Sequence, residues 1–206
     1  MALAGAGQSL VPMSAEHASE RLRPAAVPRP GRPGGRREGA LVREAQRGST
    51  DALEELFRRH WRRAHRAAYL VVGDAAAAED IAQESFLAAV RALDRFDRRR
   101  PFGPWLHRIV VNRAIDWARA RTLRRELDVE AVPEPGFLEP EASGEAGELA
   151  VAVAALGAEH RAVIVLRYLL EYTPGEIAEL LELPRGTVNS RLRRGLDQLG
   201  EALRRE

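Results

Sequence analysis

Apolar residues recur at helical spacing over two blocks of this chain, 41–125 and 149–206, and the segment between them can continue neither pattern. Residues 126–148 hold eight Asp or Glu, no arginine, and breakers at Pro133, Pro135, Gly136, Pro140, Gly144 and Gly147. A stretch of that composition repels itself and reads as a linker. The expected fold class is therefore all-α: two small helical domains joined by an acidic flexible linker. Abundant Ala and Leu, with few aromatics, favour helix over sheet inside each block. The first block should break at Gly73-Asp74 and again across 96–104, where Gly103 and Pro104 stand. Residues 1–40 scatter Pro24, Pro28, Pro30 and Pro33 among glycines and arginines, too little apolar surface to offset the entropy of ordering, and are expected to form a disordered tail.

Several function classes drop out at once. The chain has no cysteine, which removes disulfides, zinc–thiolate sites and thiol catalysis and suits a cytoplasmic protein. No apolar run approaches the ~18 residues of a membrane span. The longest candidate, 162–170, is interrupted by Arg167, and the N-terminus lacks the pattern of a signal peptide. The five histidines (His17, His60, His65, His107 and His160) show no metal-ligand spacing, and neither a phosphate-binding glycine loop nor a nucleophile motif is present. No enzyme activity, cofactor or metal is expected. All 32 basic residues are arginine and the net charge is only +2. Such a bias also follows from GC-rich coding, so the placement of the arginines carries more information than their number.

In the second block, Thr173-Pro174-Gly175-Glu176 is a helix start: a Thr cap, Pro at the first helical position and Glu placed to close a capping box. Ile177, Leu180 and Leu181 form a short apolar stripe, a turn follows at Leu183-Pro184, and a second helix carries Val188, Leu192, Leu196, Leu199 and Leu203 on one face. Two short helices joined this tightly indicate a helix-turn-helix. Opposite the leucines lie Thr187, Ser190, Arg191 and Arg194, flanked by Arg185, Asn189 and Arg193. Hydroxyls, an amide and guanidinium groups are the side chains that reach phosphates and base edges in a major groove. The run from Tyr172 to Ala178 and from Pro184 to Arg191 resembles the C-terminal domain of extracytoplasmic-function sigma factors of the sigma-70 family. That resemblance implies that this helix reads the −35 promoter element. The family commonly carries Lys where this chain has Asn189, which replaces a phosphate contact with a neutral amide.

Many repressors carry a similar helix pair, so the first block must discriminate. Over 75–96, helical projection buries Ala78, Ala82, Phe86, Ala89 and Leu93 and leaves Asp80, Gln83, Glu84, Leu87 and Arg91 outside. An exposed leucine ringed by charge suits a protein docking surface. The stretch Ala78-Glu79-Asp80-Ile81-Ala82-Gln83-Glu84-Ser85-Phe86 resembles the segment with which these sigma factors grip core RNA polymerase. Downstream, Phe102-Gly103-Pro104-Trp105-Leu106-His107-Arg108-Ile109, with Asn112, Arg113 and Asp116, resembles the segment that opens and reads the −10 element. Pro104 stands where many relatives have a small polar residue. Independently, Arg98, Arg99, Arg100, Phe102, Trp105, Arg108, Asn112 and Arg119 combine cations, aromatics and an amide, the mixture that stacks and holds unpaired bases. Phe102, beside the chain break, is the expected base contact.

The resemblance covers 41–205 in the family's order and assigns 41–125 to core polymerase and −10 binding and 149–206 to −35 binding. Core polymerase and promoter DNA are the implied partners, and an anti-sigma protein is a further partner open to such a chain. Elements about two DNA turns apart lie ~70 Å from each other, and a 23-residue linker extends to ~80 Å. The alternative is an autonomous helix-turn-helix regulator with an N-terminal sensor or dimerisation domain, which would bind duplex operators without polymerase.

Overall fold

The computed structural model describes residues 36–127 and 145–204, all of them helix or connection, without a strand among the described residues. The first domain contains α1 (Arg36–Ala45), α2 (Thr50–Val72), α3 (Ala75–Ala92), a 3₁₀ turn (Leu93–Arg95) and α4 (Phe102–Leu127). The second contains α5 (Glu145–Ala155), α6 (Ala158–Ile164), a π-helical turn (Val165–Leu169), α7 (Pro174–Leu181) and α8 (Arg185–Ala202).

Local chemistry sets these boundaries. Ser49 caps α2 by accepting from the Ala52 N–H. At the expected break, Gly73 takes the left-handed conformation (φ 70°) that ends α2, its N–H bonded to Tyr69 O at 2.8 Å. Asp74 then caps α3 through its Oδ1 on the Ala77 N–H at 3.0 Å. Close helix contacts rest on alanine: Ala64, Ala67, Ala68, Ala78, Ala82 and Ala114 are fully buried and let backbones approach, while Leu56, Leu106, Val110 and Val111 fill the remaining space. Each buried leucine of this kind contributes ~1.5–3 kcal/mol of burial.

Four boundaries differ from the sequence reading. Helix α1 starts at Arg36, inside the residues expected to be a tail, because Glu38 is buried against His60 and draws the chain into the core. Helix α4 starts at Phe102, so Gly103 and Pro104 belong to its first turn. Proline is tolerated there because the first helical N–H groups have no acceptor in any case. Finally, both ends of the expected linker are helical, since α4 runs to Leu127 and α5 starts at Glu145. The remaining acidic stretch, 128–144, and residues 1–35 lie outside the described residues.

The two domains pack on one another: α4 lies against α6 and α7, and α2 against α5, α6 and the π turn. Arg161 ties the seam from within. Its guanidinium donates to Val71 O in the last turn of α2 at 2.9 Å, and to Leu156 O (2.7 Å) and Ala154 O at the end of α5. These are carbonyls at or near helix ends, where helical N–H donors run out.

Candidate nucleic-acid interface

The second domain builds α7 and α8 as the sequence pattern expects. Thr173 Oγ1 accepts from the Glu176 N–H (3.3 Å) and the Glu176 carboxylate accepts from the Thr173 N–H (2.9 Å), a complete capping box ahead of Pro174. The turn passes through Glu182 in the left-handed region (φ 54°) with the Leu183 N–H on Ala178 O. Val188, Leu192 and Leu199 are buried, which turns the other face of α8 outward. Arg185, Asn189, Arg193 and Arg194 are exposed. Thr187, Ser190 and Arg191 are half-buried: the Ser190 hydroxyl donates to Thr187 O at 3.0 Å, and Arg191 is ion-paired with Glu159. Of the four side chains expected in the groove, Arg194 alone is exposed.

On the first domain, Arg98, Arg99 and Arg100 stand exposed on a turn pinned by Asp97, whose carboxylate accepts from the Arg99 N–H (3.0 Å) and whose carbonyl accepts from the Arg100 N–H (2.9 Å). Along α4, Trp105, Arg108, Asn112, Asp116 and Arg119 follow at three- and four-residue spacing and so share a face. Arg108 pairs with Glu182 in the turn after α7 at 2.6 Å, Arg113 with Glu84 of α3 at 2.6 Å, and Arg119 with both Asp116 (3.9 Å) and Glu159. Phe102 departs from the expectation that it meets a base. Its ring is only 5% exposed, packed 5.6 Å from Trp105, 6.0 Å from Phe96 and 5.3 Å from His60 between centroids. Helix α4 begins at this residue and turns the side chain inward, leaving half-buried Trp105 as the aromatic with an open edge.

Four polar residues organise this region without having stood out in the sequence. Glu38 Oε1 lies 2.6 Å from His60 Nε2, with both side chains buried. The same imidazole sits under the start of α4, where a Cβ on Gly103 would come within 3.2 Å of it, so glycine is what permits the approach. His107 Nδ1 shares a 2.7 Å hydrogen bond with the Tyr172 hydroxyl across the domain seam. The wide π turn and left-handed Glu171 (φ 60°) end the preceding helix and bring Tyr172 round to this position. Burial first, then His60 and Arg63, push the His107 pKa down to about 3, so the imidazole is neutral. Glu159, in the first turn of α6, meets Arg119 with one carboxylate oxygen and Arg191 with the other. The Arg119 hydrogen bond, followed by the charge of Arg191, holds its carboxyl below the usual range. A lone histidine in an apolar stripe, or one acidic residue in a helix's first turn, has no local pattern that announces such partners.

The outer face of α3 matches its expectation in exposure. Ala78, Ala82, Phe86, Ala89 and Leu93 are buried; Asp80, Gln83, Glu84 and Arg91 are exposed around Leu87, itself 55% exposed. Phe57 of α2 (41% exposed) and Val90 (45%) add apolar surface on these two helices. Phe57 is held in place by stacking on Trp61 and contact with Phe86, each at 4.8 Å. The helical projection of α3 alone missed Phe57, because it lies on another helix.

Two family models match the chain, one in each helical block. Residues 56–124 match the family model for sigma-70 region 2 and residues 146–199 that for sigma-70 region 4. The chain is 33% identical over 177 residues to the ECF RNA polymerase sigma factor SigW of Bacillus subtilis (strain 168), covering 79% of this chain and 95% of that protein. It is 32% identical over 162 residues to the RNA polymerase sigma factor CarQ of Myxococcus xanthus, covering 76% and 91%. Among solved structures it resembles CnrH in complex with the cytosolic domain of CnrY, with a TM-score of 0.63 and 29% identity over 82% of this chain and 98% of that one. The capped helix-turn-helix, the four-helix first domain and these matches lead to one conclusion: the chain belongs to the sigma-70 family of RNA polymerase sigma factors, in its extracytoplasmic-function group.

Proposed function

We propose that the chain directs core RNA polymerase to promoters with three separate surfaces. Leu87, ringed by Asp80, Gln83, Glu84 and Arg91 and widened by Phe57 and Val90, docks on core polymerase: an apolar anchor buries area and the surrounding charges fix its orientation. Arg98 to Arg100, Trp105, Arg108, Asn112, Arg113, Asp116 and Arg119 engage the −10 element. There, Trp105 rather than Phe102 supplies the stacking platform, worth ~1–3 kcal/mol per base, that offsets local unpairing. Arg185, Thr187, Asn189, Ser190, Arg191 and Arg194 engage the −35 major groove, with arginine–guanine pairs as the strongest readers. Promoter opening on these terms is driven by binding and asks for no hydrolysis by this subunit. The role places the chain in the cytoplasm with polymerase. A protein that holds the chain away from polymerase is a further partner, as the similar CnrH was solved in complex with the cytosolic domain of CnrY.

The observation that carries this reading is the exposed, charge-ringed Leu87 on one domain of a chain whose other domain is a capped helix-turn-helix. A charge-ringed apolar anchor suits docking on a protein partner that both buries and orients it. Leu87→Arg should weaken binding to core polymerase by at least about tenfold, the loss of a central anchor, with an unchanged melting temperature. Titration against labelled core, with run-off transcription from a genomic library in parallel, measures both. Undiminished affinity for core would refute the docking assignment, and operator binding without core would favour an autonomous regulator.

A further inference from the structure

Glu159 holds the middle of a three-residue bridge. Its two carboxylate oxygens pair separately with Arg119 on α4 and Arg191 on α8, the first contact crossing between domains and the second lying within the helix-turn-helix domain. A carboxylate and a phosphodiester present the same group to guanidinium: a monoanion with two acceptor oxygens. Around it the seam engages a second residue of the −10 face, since Arg108 pairs with Glu182 at 2.6 Å, and beneath that face the buried His107 shares a hydrogen bond with Tyr172 at 2.7 Å. The side chain of Arg191 retains 20% exposure and that of Arg119 57%, so the bridge is reachable by a competing anion.

We infer that Glu159 is an internal stand-in for a DNA phosphate, a specificity residue that occupies Arg119 and Arg191 in the free chain and thereby restrains it from binding DNA on its own. This rests on the assignment of both arginines to DNA given above. Exposed ion pairs are individually weak and screened by salt. A polyanion that offers several phosphates at once, and gains from counterion release, can therefore take both arginines from a single carboxylate. Release of Arg119 also cuts one interdomain tie, so DNA engagement and separation of the domains are coupled in the same step. The gate acts against stray binding through one domain: a contact that recruits only Arg191 leaves Arg119 and the seam in place.

The test uses the full chain without core. Because the chain has no cysteine, Glu54→Cys and Glu201→Cys, both at exposed positions on different domains, accept a pair of spin labels for interdomain distances. Glu159→Gln preserves shape and removes the charge; Arg119→Ala breaks the interdomain arm without touching the recognition helix. Both should shift or broaden the distance distribution. Glu159→Gln should also raise affinity for a random-sequence 30-base-pair duplex about three- to tenfold at low salt, the worth of one or two exposed ion pairs. An unchanged distance with unchanged affinity overturns the inference. So does a changed distance with unchanged affinity, which would make Glu159 interdomain glue alone. Failure of the underlying assignment looks different: Arg191→Ala would then bind the same duplex as well as wild type, whatever Glu159 does.

Discussion

Glu38→Ala tests whether α1 belongs to the folded body or to the tail its neighbours' composition suggests. Glu38 Oε1 and His60 Nε2 are 2.6 Å apart, and both side chains are almost inaccessible to solvent. Alanine leaves a buried imidazole nitrogen without its partner, a cost of ~1–3 kcal/mol. It also removes one buried methylene, ~0.8 kcal/mol. The sum is about 3 kcal/mol, against a surface substitution that stays within ~0.5 kcal/mol. If the packed domains unfold as one unit of ordinary size, each kcal/mol lowers the melting temperature by ~2–4 °C, giving a fall on the order of 10 °C. Urea unfolding followed by helix circular dichroism, with calorimetry alongside, measures the change. Glu38→Gln keeps the shape and a hydrogen-bonding group, and should recover most of the loss. Glu44→Ala, on the exposed side of the same helix, is the matched control. Deleting residues 1–40 should cost at least as much as Glu38→Ala. If Glu38→Ala proves no worse than Glu44→Ala, the buried pair contributes nothing and the reasoning fails.

Phe102→Ala should destabilise the first domain by ~3–5 kcal/mol, the range for a buried aromatic. Trp105→Ala, by contrast, should leave assembly with core largely intact and reduce promoter opening in permanganate footprints, with a pre-opened bubble template restoring transcription; the reverse pattern would return the base contact to Phe102. His107 makes stability depend on pH. Its folded pKa of about 3 lies below the ordinary 6.5, so the unfolded chain gains a proton as pH falls and the folded chain does not. The stabilisation is full above about pH 6.5 and is lost as pH falls toward 3, at no more than ~1.4 kcal/mol per pH unit. Urea midpoints at pH 7.5 and 5.0 should therefore differ, and His107→Gln should flatten the difference.

What the sequence by itself determined is whatever depends on neighbours within a few turns. Thr173-Pro174-Gly175-Glu176 closes a capping box because its donors and acceptors are three residues apart, and Gly73-Asp74 ends one helix and caps the next for the same reason. Helical projection likewise placed Leu87 outside and Phe86 inside, since a 3.6-residue period fixes faces before any partner is known. Two helical blocks and a family resemblance followed from such signals. Tertiary structure alone decided the rest. Glu38 became part of the body because His60, 22 residues on, waits for it in the core. Phe102 lost its open face because α4 starts at this residue, inside the break expected across 96–104, and Phe96, Trp105 and His60 close round it. Glu159 took two arginines, one 40 residues before it and one in α8 after it. Such partners are chosen by how helices pack, and packing depends on shape and distance across the whole chain, which no local period or motif encodes.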